Sequence, residues 1–289
     1  MNIAVLVCDV IDHSIPLIND TMDNSIWNKC IYHKINNVDL ISLEVAINIK
    51  LHSNSNITSM TLGSESSIAR LKMEVAPQTD KTVLIVDNED NLRAMDSNYA
   101  ADILGTLLGK NEWDLILCGV ETSDYGGGIT GPIISKILNY EFIGGVVDVM
   151  SVNTVKNTIC VKRKGEWGKR EIIEVKMPAV IAFTEGEVEP KRPLLSKKMS
   201  IPADCLEIIP VDNIQYNSST SQSIPVMKMH KVKPRGIFIP DSSLSTKDRI
   251  KSIMEGGLKK KKGEIIEGGG ENAVKAIIEF VKEINAISF

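Results

Sequence analysis

Four short apolar runs, each closed by Gly or Asp and each followed by an amphipathic stretch, constrain this fold more than any other feature. The runs cover residues 3–7, 57–62, 82–86 and 114–118. Helical patterns follow at 40–50 (Leu43, Ala46, Ile47 and Leu51 on one face), 64–75, 98–108 (Ala101, Leu104, Leu107 and Leu108) and 129–138. Strands alternating with helices form right-handed crossovers, and so a parallel sheet with helices on both faces. Runs that are apolar throughout fit such a sheet, because both faces of each strand are buried. The expected fold class is α/β, Rossmann-like. Ligands of such sheets bind beyond the carboxyl ends of the strands, here near Cys8-Asp9, Leu62-Gly63, Asp87 and Cys118-Gly119.

After residue 150 the pattern changes. Residues 158–163, 170–175 and 180–183 read as strands without intervening helices, and Lys164-Gly165-Glu166-Trp167-Gly168 reads as a hairpin turn. The polar stretch 215–223 reads as a linker. Beyond it, Ser245 to Asp248 resembles a capping box that opens a helix to Met254. Lys259 to Lys262 form a charged run, Gly268 to Gly270 break the chain, and Val274, Ile277, Ile278, Val281 and Ile284 form an amphipathic stripe on a last helix. The expected division is an α/β domain over 1–210, and a linker with a C-terminal helical extension over 211–289 that must pack on the main domain or on another subunit.

Composition excludes several classes. The 289 residues carry 33 Lys+Arg against 37 Asp+Glu, a net charge of −4, so neither nucleic acid nor an acidic membrane is the default partner. No apolar run approaches the ~18 residues of a membrane span. Five scattered cysteines (Cys8, Cys30, Cys118, Cys160 and Cys205), none at CxxC spacing, read as reduced, buried thiols. The chain opens on a strand pattern with no signal-like segment, so a cytoplasmic location is expected. The four histidines lack metal-ligand spacing, no Ser sits in a Gly-x-Ser-x-Gly elbow, and the acidic pairs lie in polar loops. No catalytic constellation is evident, and the chain reads as a non-enzyme.

The most informative stretch runs from Cys118 to Pro132. A buried strand ends at Gly119, a glycine-rich loop follows through Asp124, Gly126, Gly127 and Gly128, and a helix starts near Thr130, Gly131 and Pro132. Glycine admits positive φ and close backbone approach. The free amides and the dipole of a helix N-terminus favour an anion, typically a phosphate. Thr130 adds a hydroxyl. The loop lacks the Gly-Lys-Ser/Thr of a Walker A loop, and its letter match to a dinucleotide fingerprint lies too late in the chain.

In this stretch, Asp114-Leu115-Ile116-Leu117-Cys118-Gly119, then Asp124, then Gly131-Pro132, resembles the signature of the electron-transfer flavoprotein β-subunit family. Residues 3–12, Asn36-Asn37-Val38-Asp39 with Glu44, Ala46 and Lys50, Thr61-Leu62-Gly63, and the segment from Lys176-Met177-Pro178-Ala179-Val180 to Glu189-Pro190-Lys191-Arg192-Pro193 agree in order and spacing. The resemblance runs from residue 1 to about 210. It implies an adenine-nucleotide α-hydrolase-like fold and an electron-carrier subunit that pairs with an α-subunit. It also implies AMP in the β site of an ordinary member, or FAD in an electron-bifurcating one, with a further FAD held mainly by α. The implied nucleotide contacts are Leu6, Asn36, Asn37, Val38, Asp39, Leu62, Gly119, Asp124, Gly126, Gly127, Gly128, Thr130 and Gly131, with Leu6 and Leu62 walling the adenine. Leu194 and Leu195 stand near the position of the family's docking leucine for a flavin dehydrogenase. Two departures stand out. The polar residues that usually follow Asp124 are replaced here by Tyr125, Gly126, Gly127 and Ile129, and the basic residue usually near Cys8 is absent. A nucleotide sensor or structural subunit, or an ATP-using enzyme of the same fold, remain the alternatives.

Overall fold

In the computed structural model, residues 1–15, 32–88, 92, 96–202, 205–216, 240, 243–254 and 270–283 are described. The strands in chain order are β1 (Asn2–Leu6), β2 (Asp9–Ile11), β3 (His33–Ile35), β4 (Asn56–Gly63), β5 (Lys81–Val86), β6 (Leu115–Gly119), β7 (Glu141–Asn153), β8 (Thr158–Lys164), β9 (Arg170–Lys176), β10 (Ala179–Phe183) and β11 (Leu206–Pro210). Nine of them form one sheet in the order β11-β5-β4-β1-β6-β10-β7-β8-β9, parallel from β11 to β7 and antiparallel from β7 to β9. β2 and β3 pair separately as a short antiparallel ladder.

Alternation along each strand sorts side chains between two faces. Ile3, Val5, Leu115, Leu117, Ile181 and Phe183 share one core with helix α1 (Asn37–His52). Leu6, Ile116, Cys118, Val180 and Ala182 share the other with α2 (Ser97–Leu108) and α3 (Thr130–Leu138). The sheet is thus covered on both faces, as its apolar strands require. Asp96 caps α2, its Oδ1 accepting from the Tyr99 amide at 2.8 Å. α3 ends on Asn139 in the left-handed region (φ 55°).

Several elements differ from the sequence reading. Residues 65–78 form a segment of changing pitch (3-10, α, π, 3-10) in place of a single helix over 64–75, anchored by buried Leu71 and Val75. Residues 180–183 do not extend the hairpin. As β10 they insert between β6 and β7 in the parallel body of the sheet. β7 has no counterpart in the sequence reading, because Gly144-Gly145 interrupts its pattern; Gly145 has φ 75° and the register shifts between Ala182 and Phe183 opposite it. β11, an edge strand ending in Pro210, is also new. Leu51 is exposed, off the buried face of α1, while Ser42 and Glu44 on that helix are buried. The β8–β9 hairpin is as expected, turning through Trp167 (φ 56°) and Gly168 (φ 76°). Cys118 is buried, but Cys8, Cys160 and Cys205 are only partly covered; all four are free thiols, and Cys30 lies outside the described residues.

By compactness the chain divides into Met1–Met229 and His230–Phe289. In the second unit, helix Thr246–Met254 starts on Ser245, whose Oγ accepts from the Asp248 amide at 3.2 Å and donates to its Oδ2 at 2.6 Å. A second helix spans Gly270–Glu283, with Val274, Ile277 and Ile278 exposed. Residues 217–239, the Lys259–Lys262 run, Gly268, Gly269 and Ile284 lie outside the described residues.

Candidate functional site

The strand order reverses beside β1. The chain runs from β1 outward through β4 to β5, then crosses back to place β6 on the other flank of β1. At such a switch point the two crossovers leave on opposite faces, and a crevice opens beyond the carboxyl ends. Here it lies between Leu6-Val7-Cys8 and Cys118-Gly119-Val120.

The start of α1 closes the floor of this crevice. Asp39 is 3% exposed. Its Oδ2 accepts from the Cys8 amide at 2.8 Å and its Oδ1 from the Gly119 amide at 2.9 Å, so one carboxylate ties the ends of both strands. Burial pushes this carboxyl up to about 6, while hydrogen bonds from the Cys8 amide, the Asn36 side chain and the Gly119 amide check the rise. Gly119 has no room for a side chain: a β-carbon there would stand 2.3 Å from Asp39 Oδ1 and 2.5 Å from Val38 Cγ2. Asn36 is also buried. Its Nδ2 donates to the Glu121 carbonyl at 3.0 Å and its Oδ1 accepts from the Ser123 amide at 3.3 Å. Asn37 donates to Glu185 at 3.2 Å.

The loop after β6 is mostly exposed. The Gly126 amide closes a turn on the Thr122 carbonyl at 2.9 Å, and Asp124 accepts from the Tyr125 amide at 2.8 Å. Its glycines serve two ends. Gly126 and Gly128 have φ of 60° and 65°, which a side chain disfavours. Gly127 and Gly131 are close-packed, with β-carbon positions 2.4 Å from Ser97 Oγ and 3.1 Å from Cys118 Sγ. The loop therefore passes from the start of α1, where Asn36 holds it, to the start of α2, where Ser97 abuts it. No side chain caps α3. Among the described residues, the amides of Gly127, Gly128, Ile129, Thr130 and Gly131 have no protein acceptor. That row of donors at a helix N-terminus matches the chemistry of a phosphate.

Each residue expected at the site can now be placed. Asn36, Val38, Asp39, Gly119, Asp124, Gly126, Gly127, Gly128, Thr130 and Gly131 gather at the ends of β1 and β6. Leu6 and Leu62 lie on one face of the sheet, Leu6 fully packed and Leu62 partly so. Leu194 and Leu195 lie apart, 65% and 71% exposed, on the short helix Leu195–Met199 and the residue before it.

Sequence reasoning missed three features. Arg70 reaches Asp9 from the changing-pitch segment, its Nε donating to Oδ1 at 2.7 Å and its Nη2 to Oδ2, while Ser67 Oγ donates to Oδ2 at 2.6 Å. A cation thus stands beside the first strand turn, where the sequence shows only acids. Glu44, buried, takes Lys191 Nζ at 2.8 Å and the Lys191 amide at 3.3 Å. Asp87 accepts from the Tyr99 hydroxyl, which burial pushes far above its ordinary range with help from that bond. These pairings join positions 61, 147 and 12 residues apart, and spacing does not carry them.

A cavity of about 380 Å³ lies at the opposite edge, where Asn2, Met60, Lys81, Trp113 and Ile209 meet at the strands' amino ends. Strand amides there do not converge on an anion as a helix N-terminus does. Among the described residues no group of acidic, His or Cys side chains is placed to hold a metal, and no helix is long and apolar enough to cross a membrane.

The electron transfer flavoprotein domain matches residues 31–203. Protein FixA of Azotobacter vinelandii is 29% identical over 171 residues, 57% of this chain and 59% of its own length. The electron transfer flavoprotein subunit beta of Bacillus subtilis is 23% identical over 248 residues, 86% of this chain and 85% of its own. The chain thus spans less than two thirds of the FixA relative and most of the Bacillus one. The matched segment contains α1, the strand ends of β4 and β6, the glycine loop and the Lys191 anchor, and the chain belongs to the electron transfer flavoprotein β-subunit family.

Proposed function

We propose that this chain is the β-type subunit of an electron-transfer flavoprotein and holds an adenine nucleotide at the carboxyl edge of its sheet. The row of unpartnered amides from Gly127 to Gly131, at the uncapped start of α3 and beside the switch point, is the observation that carries this reading. These amides receive the phosphate, and the Thr130 hydroxyl adds a donor. Leu6 and Leu62 wall the adenine, and Asn36, Asn37, Val38 and Asp39 border it with Gly119 and Asp124. Backbone donors replace the side chains that the family usually supplies after Asp124. The nucleotide is AMP in an ordinary carrier, and FAD in a bifurcating one.

The redox chemistry belongs to flavin, held mainly by an α-type partner, and the protein's part is distance and electrostatics. Electrons pass from a flavin dehydrogenase, which docks at Leu194 and Leu195, to a further acceptor. The α/β domain (1–210) carries the nucleotide, the extension (211–289) contacts the partner, and the protein works in the cytoplasm.

The test is to co-purify the chain with the product of its neighbouring gene, record the visible spectrum and identify what denaturation releases. Flavin absorbance with AMP is expected for an ordinary carrier, and FAD in excess of the α-subunit's share for a bifurcating one. A colourless complex that releases no adenine nucleotide contradicts the proposal and favours a structural subunit.

A further inference from the structure

The start of α1 carries Asn at the N-cap and Asp three residues on, the spacing of a capping box. Neither side chain caps the helix. The Asn36 side chain takes no backbone N–H of its own helix and instead holds the Glu121 carbonyl and the Ser123 amide. Asp39 holds the Cys8 and Gly119 amides on two strands that diverge at the switch point. Beyond the last β1–β6 pair these two amides have no ladder partner, and burying them unpaired is unfavourable. A carboxylate accepts with both oxygens, whereas an amide side chain turns a donor toward one of the two N–H groups.

We propose that Asn36 and Asp39 are positioning residues: together they set the width of the nucleotide crevice and the path of the phosphate loop. This rests on the nucleotide site proposed above. Asp39 fixes the spacing of the strand ends, and Gly119 is glycine because that carboxylate fills the space of its β-carbon. Asn36 fixes where the loop leaves, so that the donors from Gly127 onward begin at a set point. The charged form of Asp39 makes both bonds, and protonation gives one of them up. The titratable groups around it are Cys8 at the end of β1, Cys118 on β6, and Glu121 and Asp124 in the loop. Burial pushes both thiols above their ordinary range, so they stay neutral between pH 5 and 8. On its own helix, Glu44 is held by Lys191.

The test uses the full-length chain, with AMP as probe, by calorimetry from pH 5 to 8. Asp39→Asn is expected to bind AMP about tenfold more weakly than wild type at pH 8. The ratio should shrink toward unity by pH 5, where wild type has also lost one acceptor. The AMP phosphate titrates in the same range, but does so for both proteins and cancels in the ratio. A ratio near unity at pH 8, or one that does not change with pH, overturns the proposal. Amide hydrogen exchange without ligand isolates the clamp. Cys8 and Gly119 should exchange faster in the variant while Val5 and Leu117 do not, and equal protection at the first pair overturns the clamp. If wild type binds no AMP, the nucleotide reading falls and exchange alone judges the clamp. If the variant does not fold, wild-type protection at Cys8 and Gly119, corrected for intrinsic rates, should drop as pH falls through about 6, and a flat profile overturns it.

Discussion

At Gly119 a single hydrogen stands where any other residue would drive a β-carbon into Asp39 and Val38. Gly119→Ala should lower stability by ~1–3 kcal/mol in chemical denaturation, the cost of overpacking a closed site. Asp39 itself carries a cost. Its folded pKa of about 6 lies above the ordinary 3.8 of an aspartate, so the folded state binds more protons than the unfolded one between those values. Stability from this group is therefore fully present below about pH 4, and is lost as pH rises through 6. At roughly 1.4 kcal/mol per unit this amounts to about 3 kcal/mol. Urea titrations at pH 4 and pH 7 should show that drop in wild type relative to Asp39→Asn; a parallel pair of profiles contradicts it. The sequence displays the glycine cluster plainly, but not which glycines answer to φ and which to packing. Gly127 and Ser97 meet only because α2 starts beside the loop, and no pattern within 118–132 records that.

Among the elements, α1 does the most. Its first turn organises the crevice, and five residues later Glu44 anchors Lys191, just before the exposed Leu194 and Leu195. Glu44→Ala should leave the Lys191 amide without its acceptor and raise exchange over residues 185–193, with a stability loss of ~1–2 kcal/mol. Unchanged exchange there would show that the segment is held by other contacts. α2 depends on its cap, and Asp96→Ala should cost ~1 kcal/mol in thermal or chemical denaturation. Most strands and helices of the parallel body are legible because burial on two faces writes continuous apolar runs and helical stripes. β7 and β11 are not: Gly144-Gly145 erases the alternation in the middle of β7, and β11 is a largely exposed edge strand ending in Pro210. Residues 64–75 read as one helix because Leu71 and Val75 keep a four-residue spacing through a change of pitch.

On the scale of the whole molecule, the strand order places β1 between β4 and β6, and every residue of the candidate crevice follows from that crossing. The topology explains why positions as far apart as Cys8, Asp39 and Gly119 form one unit. It also explains why the sequence shows their presence without their contacts. The exposed pair Leu194 and Leu195 gives a prediction at this scale. Replacing both with Asp should slow electron delivery from a flavin dehydrogenase at low donor concentration, with the flavin spectrum unchanged. The nucleotide site itself is tested most directly by amide chemical-shift mapping with AMP on wild type and Thr130→Glu. The added carboxylate suits a helix N-terminus and leaves α3 intact, yet repels a phosphate. The account predicts that AMP shifts the amides of Gly127, Gly128, Thr130 and Gly131 in wild type and leaves them unmoved in Thr130→Glu. Shifts that cluster instead around Asn2, Lys81 and Trp113 at the amino edge, or none at all, would contradict it.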